Sequence, residues 1–274
     1  MMDFLTDYAG LLAALAVAGL FAGLAAGLFG IGGGVVIVPT LFFLLSTMGY
    51  EETAMHVAVA TSLATIILTS IRSVMAHHKR GAVDWDIIRG WSPWIVLGAI
   101  LGMLAAGYFS KQVMLAIFGS ILLLFAAQFY FGRPGWTLAS EMPKGPVRAG
   151  IGTFNGALSA IMGIGGGTLG VTLMTLCGVV MHRAVATAAG WGVAIGLPGA
   201  IAAIIVGWGR EGLPPFSAGF VNLPAFALIS VFTVLMAPVG AALAHKLNAD
   251  RLRRLFGILL AVVSARMLLQ AAGL

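Results

Sequence analysis

The chain has 274 residues, of which 60% are hydrophobic and only 9% charged, with a net charge of +6 and a mean hydropathy of +1.05. A soluble domain carries about 25% charged residues, so this composition excludes a water-soluble globular protein and implies an integral membrane protein. In such a protein excess Lys and Arg mark cytoplasmic loops, and the positive charge does not point to a nucleic-acid partner.

The opening "MMDFLTDYAG" holds two acids and no basic residue, unlike the basic n-region of a signal peptide, so the first apolar run is expected to stay in the mature protein. Runs long enough to span a bilayer, which takes about 20 apolar residues, are predicted at 9–29, 54–76, 91–109, 113–131, 185–207, 223–244 and 252–272. Shorter runs at 33–47, 148–162 and 168–180 flank two copies of Gly-Ile-Gly-Gly-Gly, at 30–34 and 163–167. Glycine inside a helix costs roughly 1 kcal/mol relative to alanine, so each cluster is predicted to break its helix. Pro198 in "AIGLPGA" is expected to kink its helix and to offer a hinge. The single cysteine, Cys177, cannot form an intrachain disulfide, and "LMTLCGVV" reads as packed helix.

The second half of the chain repeats the first. Gly19, Phe21, Gly23 and the first glycine cluster match Gly152, Phe154, Gly156 and the second cluster at a displacement of 133 (Gly152 against Gly19). "MHVAVAT" at 55–61 matches "MHRAVAT" at 181–187, displaced by 126, and Gly102 and Phe118-Gly119 match Gly240 and Phe256-Gly257, displaced by 138. The expected organisation is a first membrane repeat over 1–132, a cytoplasmic linker over 133–144 and a second membrane repeat over 145–274.

Charge predicts how the repeats are oriented. If each is a glycine-turned hairpin that enters and leaves on one side, followed by three spans, the second repeat is inverted and both termini lie outside. The inside loops then hold Arg72, Lys79, Arg80, Arg89, Arg133, Lys144, Arg148, Arg183, Lys246, Arg251, Arg253 and Arg254, leaving Lys111, Arg210 and Arg266 outside, a ratio of 12 to 3. With four spans per half the ratio falls to 9 to 6. The positive-inside rule favours inversion, a construction principle of secondary transporters. The predicted fold is an all-α integral membrane protein of two inverted repeats with about 8–10 membrane segments.

A helix interrupted inside hydrocarbon leaves backbone groups unpaired at several kcal/mol each, so it persists only where protein or a polar cavity covers it. Two interruptions in matching places point to a shared cavity near the midplane. Half-helices starting after Gly34 and Gly167 would aim free N–H groups and positive dipole ends at an anion. The candidate substrate-binding residues are Gly30, Gly32, Gly33, Gly34, Gly163, Gly165, Gly166, Gly167 and Thr168, with the polar Thr61, Asn155 and Thr187 from the apolar runs. Thr61, Thr65 and Thr69 share a helix face, as do Asn155 and Ser159. His56 and His182, at matching positions, together with Trp191 and Pro198, are candidates for coupling or gating. Close helix packing is the other use of membrane glycine, and Gly19, Gly23 and Gly27, or Gly98 and Gly102, have the spacing of a small-residue packing face.

The paired "GIGGG" clusters, each followed some twenty residues later by "MHxAVAT", resemble the TauE/SafE sulfite-exporter family of membrane permeases over nearly the whole chain. The resemblance implies a carrier of sulfite, sulfoacetate, other sulfonates or small organic acids. It implies a small anionic substrate, a bilayer setting in the bacterial inner membrane, no cofactor and no nucleic acid; a homodimer is one assembly compatible with it. An anion channel is the alternative, with the glycine loops as its filter; an intramembrane enzyme ranks third. Residues 165–170 spell G-x-G-x-x-G without a soluble strand-helix context or an acidic partner, and no Walker-type or metal-ligand motif is present.

Overall fold

The computed structural model describes residues 2–30, 32–131, 137–243 and 249–273, and the side chains of 12–30, 32–131, 137–243 and 257–273. The described residues form helices α1 (Met2–Phe29), α2 (Gly34–Thr47), α3 (Ala54–His78), α4 (Trp85–Ala106), α5 (Lys111–Phe131), α6 (Gly145–Met162), α7 (Gly167–Leu176), α8 (Met181–Gly207), α9 (Leu223–Leu243) and α10 (Ala249–Ala271). Six of them, α1, α3, α4, α5, α8 and α9, are long and apolar enough to cross a membrane. The protein is an all-α multi-pass membrane protein. The expected span at 252–272 falls on α10 (Ala249–Ala271), whose side chains are described from Gly257 onward. Between α8 and α9 an unexpected two-residue ribbon pairs β1 (Ser217–Ala218) with β2 (Val221–Asn222), antiparallel. Expected positions at Ile31 and within 132–136 and 244–248 lie outside the described residues.

Local chemistry accounts for where the elements start and stop. α6 opens with a proline in its first turn, where the missing N–H is no loss, and stops at Gly163 in a left-handed C-cap with φ 65°. α2 and α7 start from Gly33 and Gly166, both left-handed, at φ 81° and 67°. Asp84 caps α4 by accepting from the Ile87 N–H at 3.1 Å, and Asn222 caps α9 by accepting from the Ala225 N–H at 3.1 Å. α8 runs through Pro198 as one helix.

Helices from early and late in the chain pack on one another. α1 lies along α9, α6 along α4, α3 along α8 and α5 along α10. Gly19, Gly23 and Gly27 face Ile229, Thr233 and Ala237 in ascending order, so α1 and α9 run parallel. Gly98 and Gly102 meet Thr153 and Ala157, which makes α4 and α6 parallel as well. A Cβ built on Gly23 would stand 2.6 Å from the Thr233 carbonyl oxygen, so small residues here set the distance between backbones. By contrast, Gly192 meets Ser70 while Gly196 meets Leu63, and Gly119 meets Leu268 while Gly257 meets Phe129; α3 with α8 and α5 with α10 are antiparallel.

Polar contacts define two opposite ends of the bundle. At one end Lys111 lies 3.7 Å from Glu51, Arg210 donates to the Gly107 carbonyl at 3.1 Å, and the Thr53 hydroxyl donates to the Gly212 carbonyl at 2.8 Å. At the other, Arg183 pairs with Asp84 at 3.0 Å and Arg80 donates to the Ala241 carbonyl at 2.7 Å.

Candidate functional site

The two glycine breaks meet. A Cβ on Gly34 would collide with the carbonyl of Gly163, and one on Gly32 would fall 3.1 Å from the Gly165 Cα and 3.3 Å from Ile66, halfway along α3. Gly33 comes back against Ala22, a Cβ there lying 2.7 Å from its carbonyl oxygen, so the chain doubles back at 30–33 and α2 retraces part of α1. Gly30, Gly32, Gly33, Gly163 and Gly166 all have positive φ, between 65° and 81°. At Gly30, Gly33 and Gly163 this conformation, which L side chains disfavour, is combined with a backbone approach that leaves no room for a Cβ, while at Gly166 the side chain of Ile195 fills the space.

The expected open cavity between the breaks is not what the described residues form. Backbone touches backbone, and to one side lies only a narrow crevice, too tight for a water molecule, walled by Phe125 of α5, Ser159 of α6, Ile164 and Gly166 of the break, and Thr168 and Leu169 of α7. Gly165 and Gly167 continue the chain through that wall; Gly167 and Thr168 form the first turn of α7, whose N–H groups have no intrahelical acceptor.

The polar side chains around the breaks divide into bonded and unbonded groups. Ser62 donates to the Gly163 carbonyl at 2.8 Å, satisfying an oxygen that the interruption leaves free. Thr61 and Thr187, at matching positions of α3 and α8, do matching work. Thr61 Oγ1 accepts from the Asn222 N–H and Thr187 Oγ1 from the Asp84 N–H, each at 3.0 Å, so each hydroxyl holds the capping residue of a neighbouring helix. Thr65 donates to the Thr61 carbonyl at 2.9 Å, and Thr69 reaches the Thr233 hydroxyl at 2.9 Å.

A second group of donors has nothing to bond. Asn155 Nδ2, Thr168 Oγ1 and Trp191 Nε1 are buried and without a hydrogen-bond partner among the described residues. The Asn155 Oδ1 is used, accepting from Ser159 at 3.2 Å. The indole of Trp191 lies over Gly170, where a Cβ would be 2.7 Å from its ring, and 5.7 Å from the ring of Trp91. A buried donor left unpaired costs about 1–3 kcal/mol, and three around one chain break are a large local deficit. No Asp, Glu, Lys or Arg is buried among the described residues.

His56 and His182 are not equivalent. His56 is buried, donates from Nε2 to the Ala106 carbonyl at 3.1 Å and stacks on Phe220 at 5.0 Å, which fits an anchor for the ribbon. His182 is exposed in the first turn of α8. Pro198 lies inside α8, away from the crevice lining. Sequence reasoning missed Ser62 and Asn222. The first stood in view in "ATSLA"; the second ends a two-residue strand just before α9, too short to leave a periodic signal.

The sequence profile described as "Sulfite exporter TauE/SafE" matches residues 15–267. The chain belongs to the TauE/SafE family. Among similar proteins, a probable membrane transporter protein of Haemophilus influenzae is 34% identical over 255 residues, covering 92% of this chain and 96% of its own. Another, from Methanocaldococcus jannaschii, is 26% identical over 94% of this chain and 96% of its own. A third, YunE of Bacillus subtilis, is 30% identical over 59% of this chain and 66% of its own. No solved structure matches the chain. This TauE/SafE protein is a membrane transporter and not an enzyme.

Proposed function

We propose that the transporter carries a small anion, with sulfite or a short sulfonate such as sulfoacetate as substrate, and acts as an exporter or facilitator. The observation that carries the reading is the meeting of the two breaks level with the middle of α3. Two helices, α2 and α7, begin there, and their N-termini favour negative charge. The absence of a buried carboxylate among the described residues agrees, since a cation site at that depth would need one. The glycines at 30, 32, 33, 34, 163, 165, 166 and 167 give the substrate close access to backbone N–H groups. Thr61 and Thr187 act one step away, by holding the caps of α9 and α4.

The halves 1–132 and 145–274 are read as inverted repeats with both termini outside. Antiparallel packing of α3 with α8 and of α5 with α10 supports this, as does the location of Lys111 and Arg210 at the end opposite Arg80 and Arg183. An inside-negative potential assists outward movement of an anion by about 2.3 kcal/mol per charge per 100 mV, so export runs without a coupling ion and uptake requires one.

The test is flux of labelled sulfite and sulfoacetate in proteoliposomes under an imposed potential. Saturable, potential-driven flux with counterflow is expected. Flux of neutral solutes or organic cations but of no anion overturns the reading, and unsaturable flux without counterflow makes the protein a channel.

A further inference from the structure

Resting on that anion-carrier reading, we infer that the crevice beside the second break is a single, one-sided anion site, which takes the head of one compact oxyanion per chain through Thr168, Asn155 and Trp191. Thr168 lines the crevice directly, and its hydroxyl has no partner. Asn155 sits one turn before Ser159, another lining residue, and turns its oxygen to that hydroxyl, leaving the amide N–H groups for something else. Trp191 packs against the Gly166–Gly170 segment from α8 with its N–H unused. An amide nitrogen and an indole nitrogen can only donate. What completes them must therefore accept, and the first-turn N–H groups of α7 add a preference for negative charge. The crevice is narrow, with no room even for a water molecule in this conformation, so it must widen to admit a ligand, and the part bound there is compact with any organic tail outside it.

The one-sidedness follows from the matching positions of the first half. Displacements of 133 and 126 put Ala22, Val35 and Thr65 where the second half has Asn155, Thr168 and Trp191. The first two cannot donate, and the Thr65 hydroxyl is already bonded to the Thr61 carbonyl. The first break offers backbone alone, and the second adds the side-chain donors.

The experiment uses the full chain, purified in detergent and in proteoliposomes, with sodium sulfite as probe. Wild type, Thr168→Val, Thr168→Ser, Trp191→Phe and Asn155→Ala are compared with Thr40→Val, whose hydroxyl is bonded within α2 to the Val36 carbonyl. The expected result is one sulfite per chain by calorimetry. Thr168→Val and Trp191→Phe should raise the sulfite Kd and the transport KM about tenfold or more, the loss expected for a hydrogen bond to a charged group. Thr168→Ser should restore both, and Thr40→Val should leave them unchanged. Where a polar-to-apolar variant elutes as aggregate, Trp191→Phe, which keeps an aromatic ring but not the indole N–H, decides. Unchanged Kd and KM in Thr168→Val and Trp191→Phe, or two sulfites per chain, overturn the one-sided site while wild-type flux preserves the anion-carrier reading. A wild type that neither binds nor moves sulfite, sulfoacetate or acetate overturns both.

Discussion

The hydroxyl of Ser62 donates to the carbonyl of Gly163 across 2.8 Å, tying α3 to the last residue before the second chain break. The bond joins sequence positions 101 residues apart. It replaces the acceptor's lost helical partner at a depth where water offers none.

Ser62→Ala should therefore destabilise the fold by about 1–3 kcal/mol, the cost of leaving a buried acceptor unmade. Thr40→Val, which removes a hydroxyl bonded only within its own helix, should cost less. Thermal unfolding of the purified variants in one detergent checks the order. Equal melting temperatures for Ser62→Ala and wild type would remove Ser62 as the support of the break.

The glycines should separate by what surrounds them. Gly33→Ala combines φ 81° with a Cβ 2.7 Å from the Ala22 carbonyl oxygen, whereas Gly49→Ala at φ 90° meets nothing within 4 Å. Gly33→Ala should abolish monodisperse protein. Gly49→Ala should cost only the backbone term of about 1–2 kcal/mol. Fluorescence-detected size exclusion of tagged variants reads the contrast, and a well-behaved Gly33→Ala would contradict the close approach.

Capping and ion pairing at Asp84 can be told apart. Asp84 accepts from Ile87 through one oxygen and from Arg183 through the other. Asp84→Asn keeps the cap, as Asn222 does for α9, and loses a partly exposed pair worth about 0–1 kcal/mol. Asp84→Ala loses the cap too, adding about 0.5–2 kcal/mol. A larger loss for Asn than for Ala, by thermal unfolding, would reverse this assignment.

Sidedness is testable in whole cells. In a Cys177→Ala background, Glu52→Cys should react with an impermeant maleimide from outside, and Asp86→Cys only after permeabilisation. A reporter fused within 245–254 should read cytoplasmic, and fusions at either terminus external. Labelling of Asp86→Cys in intact cells would sink the inverted topology.

Element positions were legible because apolar runs and glycine clusters are local signals. The expected starts of α2 and α3, at 33 and 54, fall within one residue of those observed. Partner choice was not legible. Nothing periodic says that α1 lies on α9, because between lipid-embedded helices small-residue surfaces decide the contact, and that complementarity belongs to two distant segments. The hydroxyls show the same limit. Thr61 and Thr187 stood out as polar residues in apolar runs, but their bonds to Asn222 and Asp84 depend on where other helices begin. Thr168, Asn155 and Trp191 were visible as candidates; their common lack of a partner required the fold.

The seams between α1 and α9 and between α4 and α6 restrict how this protein can move. Rocking residues 1–132 against 145–274 as two rigid blocks would pull both seams apart, at positions such as Gly27 and Gly156 where the backbones leave no room even for a methyl group. A cycle that keeps the seams closed must instead swing hybrid bodies, α1 together with α9 and α4 together with α6, around the crossed breaks. The unit that recurs along the chain and the unit that can travel as one piece are then different sets of helices, and a distance probe placed between α1 and α9 should stay constant while one between α1 and α4 changes.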